Sequence, residues 1–175
     1  GADWYAPPGV EPRIEELTWG RQNWFPYWAD EHRAVREGVA LMDMSFMSKF
    51  LVQGADSGRF LDRLSANAVD GAPGVITYTQ WLNEAGTLEA DLTVTKLDDD
   101  RFMVVASDNA HGHVQAWMRR HLDDDRAFVT DITSALAQVN VQGPRSRELL
   151  QSVTSADVSN EAFGFRSARY IAIGF

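Results

Sequence analysis

The chain has 175 residues, the length of one ordinary domain and short for two. Hydrophobic residues make up 45% and charged residues 23%, a globular composition that excludes an intrinsically disordered chain. Sixteen basic against 25 acidic residues give a net charge of -9, which repels phosphate backbones and argues against a nucleic-acid partner. There is no cysteine, so disulfides, thiolate nucleophiles and cysteine-based zinc sites are excluded. No apolar run approaches 18 residues, so no membrane span and no membrane partner are expected. Gly1 to Pro8 lack the basic and apolar regions of a signal peptide, and a cytoplasmic protein is expected.

Residues 1–27 differ in texture from the rest. Pro7, Pro8, Pro12 and Pro26 sit among Trp4, Tyr5, Trp19, Trp24, Phe25 and Tyr27. Proline discourages helix and strand interiors while the rings favour burial, which predicts an extended arm anchored on another surface. From Trp28 the spacing of Trp28, His32, Val35 and Val39 predicts a helix stopped near Gly38. A short strand is expected at Lys49–Gln53, then a turn at Gly54–Asp56 into a helix that turns Phe60, Leu61 and Leu64 inward. A loop at Gly71–Gly74 leads to a long hairpin, Val75–Leu82 and Thr87–Leu97, with a third antiparallel strand at Arg101–Ala106. A helix over Asn109–Leu122 is broken by Asp123–Asp125. Strands follow at Ala127–Ile132 and Ala135–Val141, a helix from Gly143 to Leu150, and a last strand at Arg169–Ile173. Strands in hairpins with interspersed helices define an α+β fold with antiparallel sheets and packed helices. The stretches before and after about residue 123 read as two ferredoxin-like units.

Several chemistries drop out. There is no Walker sequence and no glycine-rich dinucleotide fingerprint. His111 and His113 lack further ligands at metal spacing and read as surface helix residues, and the triplets Asp98–Asp100 and Asp123–Asp125 read as solvated turns, so no metal site is assigned. No serine sits in a nucleophile elbow. Asp91 stands out, because aspartate is a poor strand former and this one falls in mid-strand. Alternation puts Leu88, Ala90, Leu92 and Val94 on one face and Glu89, Asp91, Thr93 and Thr95 on the other, so Asp91 reads either as part of a solvated face or as a functional carboxylate. Tyr78, across the hairpin, can come near it.

Four runs in order resemble the aminomethyltransferase family, the T-protein of the glycine cleavage system: GVALMDMSFMSKFLVQG from Gly38 to Gly54, YTQWLNEAG from Tyr78, LEADLTV from Leu88 and VQGPRSRELL from Val141. Asn23–Phe25, Glu31 with His32, Arg36–Val39 and Asn160–Phe163 resemble more closely the folate-binding half of sarcosine and dimethylglycine dehydrogenases. The resemblance implies that residues 28–175 are the N-terminal part of a tetrahydrofolate-binding domain, with residues 1–27 as a docking arm. It implies that Asp91 lies against the folate nitrogen leading to the aminobenzoyl group, orients it and takes up its proton as it attacks a one-carbon unit. It places Tyr78 and Val104 in the folate pocket, and Ala106 where T-proteins often carry an asparagine. The one-carbon unit in the dehydrogenases is an iminium made when FAD oxidises an N-methyl amine. FAD would belong to a separate dehydrogenase domain or subunit expected before Gly1, and the rest of the folate pocket would follow Phe175. The alternatives are a free-standing T-protein-like aminomethyltransferase and a non-catalytic folate-binding scaffold. A eukaryotic member would sit in the mitochondrial matrix.

Overall fold

The computed structural model describes residues 6–11 and 16–174. Trp4, Tyr5 and Pro12 of the expected arm lie outside the described residues, as do Gly1 and Phe175. The chain divides into two compact units, residues up to 42 with 140–153, and residues 43–139 with 154 onward.

In the first unit, helix α1 (Phe25–Glu37) starts three residues before the expected Trp28, because Pro26 suits the first turn, where its missing N–H costs nothing. Trp28 sits between Trp24, Phe25 and His32, with ring centroids 6.0, 5.6 and 4.0 Å away. The Gly38 N–H closes the helix on the Ala34 carbonyl. Strand β1 (Ala40–Asp43), which the hydrophobic pattern did not announce, pairs with β7 (Val139–Gln142), and α4 (Ser146–Gln151) follows. Gly143, with φ +126°, leaves no room for a side chain: a Cβ there would lie 2.4 Å from the Gly38 carbonyl oxygen.

The second unit is built on β2 (Ser48–Gln53), α2 (Ser57–Leu64), β3 (Ile76–Leu82), β4 (Leu88–Asp98), β5 (Arg101–Ala106), α3 (His111–Arg120) and β6 (Phe128–Asp131). The strands form one sheet in the order β3-β4-β5-β2-β6, every neighbouring pair antiparallel. β2-α2-β4 and β5-α3-β6 are two split β-α-β units interleaved in a single ferredoxin-like sheet, and β3 is an added edge strand. The α+β, antiparallel fold class is therefore present, but the second unit expected after residue 123 is not. β6 completes the first sheet and β7 leaves it for β1.

Alternation then decides which side of the sheet is core. Phe50, Val52, Trp81, Ala90, Leu92, Val94, Phe102, Val104 and Ala106 face α2 and α3, packing on Phe60, Leu61, Leu64, Val114 and Met118. Burying this set supplies the main driving force for the unit. Asp125, expected in a solvated turn, is instead almost covered, its two carboxylate oxygens accepting from Arg59 and Arg63 of α2, each at 2.6 Å. Hydrogen bonding from Arg63 holds its carboxyl below the usual aspartate range.

Two further expectations fail for local reasons. Ala135 ends a 3-10 turn and no strand begins before Val139, because Asp131 captures the Thr133 N–H at 2.9 Å and turns the chain. Residues 169–173 form no strand, since a strand exists only through its ladder. Here the flanking chain makes single bonds, Ala168 N–H to the Gly74 carbonyl and Thr154 hydroxyl to the Ala172 carbonyl, and Tyr170 and Ile173 are exposed.

Gly54, with φ +130°, starts the turn into α2, and a Cβ there would lie 2.2 Å from the Arg126 carbonyl oxygen. Gly54→Ala is expected to destabilise the protein by about 2–3 kcal/mol, read from the urea midpoint. Gly71→Ala, where a Cβ meets nothing within 4 Å, is expected to leave the midpoint within error.

Candidate functional site

The face of the sheet turned away from the helices carries the polar alternates. Cross-strand register lines them up: Gln80 opposite Asp91, then Tyr78, Thr93, Val105 and Lys49 in one row, then Ile76, Thr95, Met103 and Leu51 in the next. Tyr78 is thus the diagonal neighbour of Asp91 on the same face, within reach of a long side chain. Its hydroxyl donates to Asp91 Oδ2 at 2.8 Å. Gln80, on the same face two residues along β3, lies beside the same phenol. The hydrogen bond donated to Asp91 raises the Tyr78 phenol above its ordinary value, because the phenol must keep its proton to make it; desolvation and the carboxylate's charge add to this, and Gln80 works in the other direction.

Asp91 is exposed and Tyr78 half exposed, so the pair is open to a ligand. Two clefts open here, sharing Ile76, and Tyr78 lines the larger of them. One of about 770 Å³ is lined by Asn67, Ile76, Tyr78, Thr93, Phe165 and Arg166, among others. The other, of about 460 Å³ and mainly apolar, is walled by Ile76, Thr95, Met103 and Tyr170. These volumes suit a small organic ligand. Asp91 lines neither cleft and joins the larger one through Tyr78.

Val104 is not brought to this face. It is fully buried on the helix side, paired with Val94, whereas its neighbours Met103 and Val105 point to the Asp91 side. Ala106 is likewise in the core, at 1% exposure. The residues that sequence reasoning passed over are Thr93, Gln80, Phe165 and Arg166. Thr93 and Gln80 were signalled by the same period-two arithmetic that singled out Asp91, while Phe165 and Arg166 reach the cleft only through a loop.

The histidines of α3 have partners of their own. His113 Nε2 lies 2.7 Å from Glu89 Oε2, and Asn83 bonds the other Glu89 oxygen at 2.8 Å. The Asn83 bond first, then His113, holds the Glu89 carboxyl below its ordinary range. His111 stands between Ser48 Oγ and Asp131 Oδ2, 3.1 Å from each, and stacks on Phe50. This serine-histidine-aspartate line is not a nucleophile: Ser48 is 1% exposed and its hydroxyl donates to the Ser107 carbonyl at 3.2 Å. It pins β2, α3 and β6 together. Among the described residues no group of three His, Cys, Asp or Glu side chains is placed to hold a metal, and no helix is long and apolar enough to cross a membrane.

The second unit is thus a ferredoxin-like antiparallel sheet with both helices on one face, and a carboxylate-tyrosine pair beside clefts on the other. The sequence model of the GCVT N-terminal domain matches residues 2–175, and the chain belongs to that family. It is 38% identical over 172 residues, 98% of its length, to "4-methylaminobutanoate oxidase (formaldehyde-forming)" of Paenarthrobacter nicotinovorans, and covers 21% of that protein. It is 28% identical to human mitochondrial dimethylglycine dehydrogenase over 97% of its own length and 20% of the relative's. The chain thus spans about a fifth of these two relatives. Among solved structures, the glycine cleavage system aminomethyltransferase T of Bartonella henselae superposes with a TM-score of 0.65 at 26% identity, over 70% of this chain and 34% of that one.

Because the Asp91 carboxylate is the main reason for the raised Tyr78 phenol, Asp91→Asn is expected to bring its titration down toward 10. Ring-carbon NMR of labelled tyrosine reads this directly. A Tyr78 signal that titrates at the same pH in both proteins would mean that the bond does not form in solution.

Proposed function

We propose that this chain forms the N-terminal part of a tetrahydrofolate-dependent one-carbon transfer domain, working beside an FAD-linked amine demethylase domain or subunit. The single observation that carries the reading is the Tyr78–Asp91 hydrogen bond on an open sheet face above two clefts. A mid-strand carboxylate with no cation paired to it in the described residues, held instead by a phenol, suits a group that must receive a proton.

In this reading Asp91 would accept the N–H proton of the folate nitrogen that adds to the iminium carbon, and the same carboxyl would return it to the departing amine as the older C–N bond breaks. Closure of the one-carbon unit onto a second folate nitrogen, whose proton would leave to water, would complete methylenetetrahydrofolate and leave the amine demethylated. Tyr78, donating to Oδ2, fixes the carboxylate plane and leaves Oδ1 for the substrate. Ile76, Thr95, Met103 and Tyr170 would flank the flat pterin or aminobenzoyl part, a mainly apolar surface with few polar contacts. Val104 would serve the pocket from behind, since its burial against the core sets the register that presents Met103 and Val105.

The dehydrogenase setting is favoured over a free-standing T-protein because the match to the oxidase extends over 98% of the chain at 38% identity. Residues 1–27 fit a docking arm in that setting: Leu17 and Trp19 are exposed, and rings of this kind gain most by burial against a partner. A soluble compartment, the cytoplasm or the mitochondrial matrix, is part of the same reading.

In the intact protein, Asp91→Asn is expected to lower the rate of methylenetetrahydrofolate formation about a hundredfold or more, while tetrahydrofolate binds within a few-fold of the parent. Single-turnover formation measured against a binding titration separates the two. Normal turnover by the variant would make Asp91 a solvated surface residue.

A further inference from the structure

Arg166 sits on the rim of the larger cleft, beside Phe165 and facing the site shared by Tyr78 and Thr93. Its backbone has φ +60°, a left-handed conformation that is uncommon outside glycine and asparagine and is often kept at ligand clamps. Three contacts hold it there. The Arg166 carbonyl accepts from Ile76 N–H at 2.9 Å, Arg166 Nε donates to the Ile76 carbonyl at 3.1 Å, and the adjacent Ser167 forms a bridge with Val75.

The guanidinium is therefore tied to the edge of β3 by its inner nitrogen, and neither terminal nitrogen has a protein acceptor among the described residues. That contrasts with Arg33, Arg59, Arg63, Arg101, Arg126 and Arg145, each of which meets a carboxylate within 4 Å. In a chain of net charge -9, an oriented guanidinium without a carboxylate is matched to one brought from outside. Its two terminal nitrogens form the fork that grips a carboxylate bidentately. Phe165, 94% exposed at the same rim, adds an apolar plate.

We infer that Arg166 binds a carboxylate of the ligand that enters the Tyr78 cleft, so that this site selects carboxylate-bearing molecules. The inference rests on the folate reading of the site. Within it, two molecules bring such a group: the glutamyl end of tetrahydrofolate, and a one-carbon donor derived from an N-methyl amino acid.

The test uses the intact protein, with Arg166→Gln, which keeps an amide able to reach the Ile76 carbonyl, and Arg166→Lys, which keeps the charge without the fork. Binding of tetrahydrofolate and of the methylamide of tetrahydropteroate, which ends in a neutral amide and carries no carboxylate, is measured by calorimetry, with thermal melts to establish folding. If the guanidinium holds the glutamyl end, Arg166→Gln weakens tetrahydrofolate tenfold or more, leaves the carboxylate-free pteroyl amide unchanged, and Arg166→Lys recovers part of the loss. If it holds the donor, tetrahydrofolate binding is unchanged. The N-methyl amino acid concentration for half-maximal methylenetetrahydrofolate formation then rises tenfold or more, with no such rise for an N-methyl amine lacking the carboxylate. Equal weakening of both pterins, or no effect in any arm, overturns the inference and leaves Arg166 as a loop anchor. Failure of the parent protein to bind either pterin would instead defeat the folate reading on which the inference stands.

Discussion

The register between β3 and β4 sets Gln80 opposite Asp91 and Tyr78 opposite Thr93, and the rest of the site depends on it. Side chains alternate along a strand, so a slip of one residue would carry Asp91 into the core and bring Leu92 to the open face. Three things prevent that slip. The Asn83 side chain closes the hairpin by accepting from Ala85 and Thr87 N–H groups, Trp81 is fully buried with its indole N–H on Ser65, and Ala90, Leu92 and Val94 can be buried only in this phase. The core thus determines the site: the apolar set on one face specifies which polar residues appear on the other.

This division of labour explains why buried polar networks outside the site are structural. Lys49 is buried with its ammonium on the Ser45 and Met47 carbonyls, Lys96 is paired with Asp70 at 2.6 Å, and Asp125 is clasped by two arginines. Each satisfies a group that would be costly to leave unpaired. The contrast with Asp91 and Arg166 is informative. Both are accessible, and neither is matched by an opposite charge among the described residues.

Much of the hairpin region was legible because the period-two signal there is long. Leu88 to Thr95 alternate apolar and polar, which puts Asp91 on the face away from the core from the sequence alone, and the nearness of Tyr78 follows from hairpin pairing. Val104 shows where that reasoning stops: a resemblance marks the strand, but a one-residue difference decides core or cleft, and only the register with Val94 resolves it. Short segments were less readable. β1 has four residues and forms because β7 pairs with it, a contact between positions about a hundred residues apart. The apolar stretch 169–173 has strand composition without a ladder. Likewise Ser48, His111 and Asp131 meet through the sheet order, and nothing in their spacing along the chain announces it.

In the proposed reaction a folate amine meets the carboxylate held by Tyr78. The most direct measurement is a crystal structure of the intact protein with tetrahydrofolate bound. The expected result is a folate nitrogen at hydrogen-bond distance, about 3 Å, from Asp91, with the Tyr78 bond retained and the ring system along Ile76, Thr95 and Met103. Folate bound on another surface, or with Asp91 still facing only solvent, would contradict it.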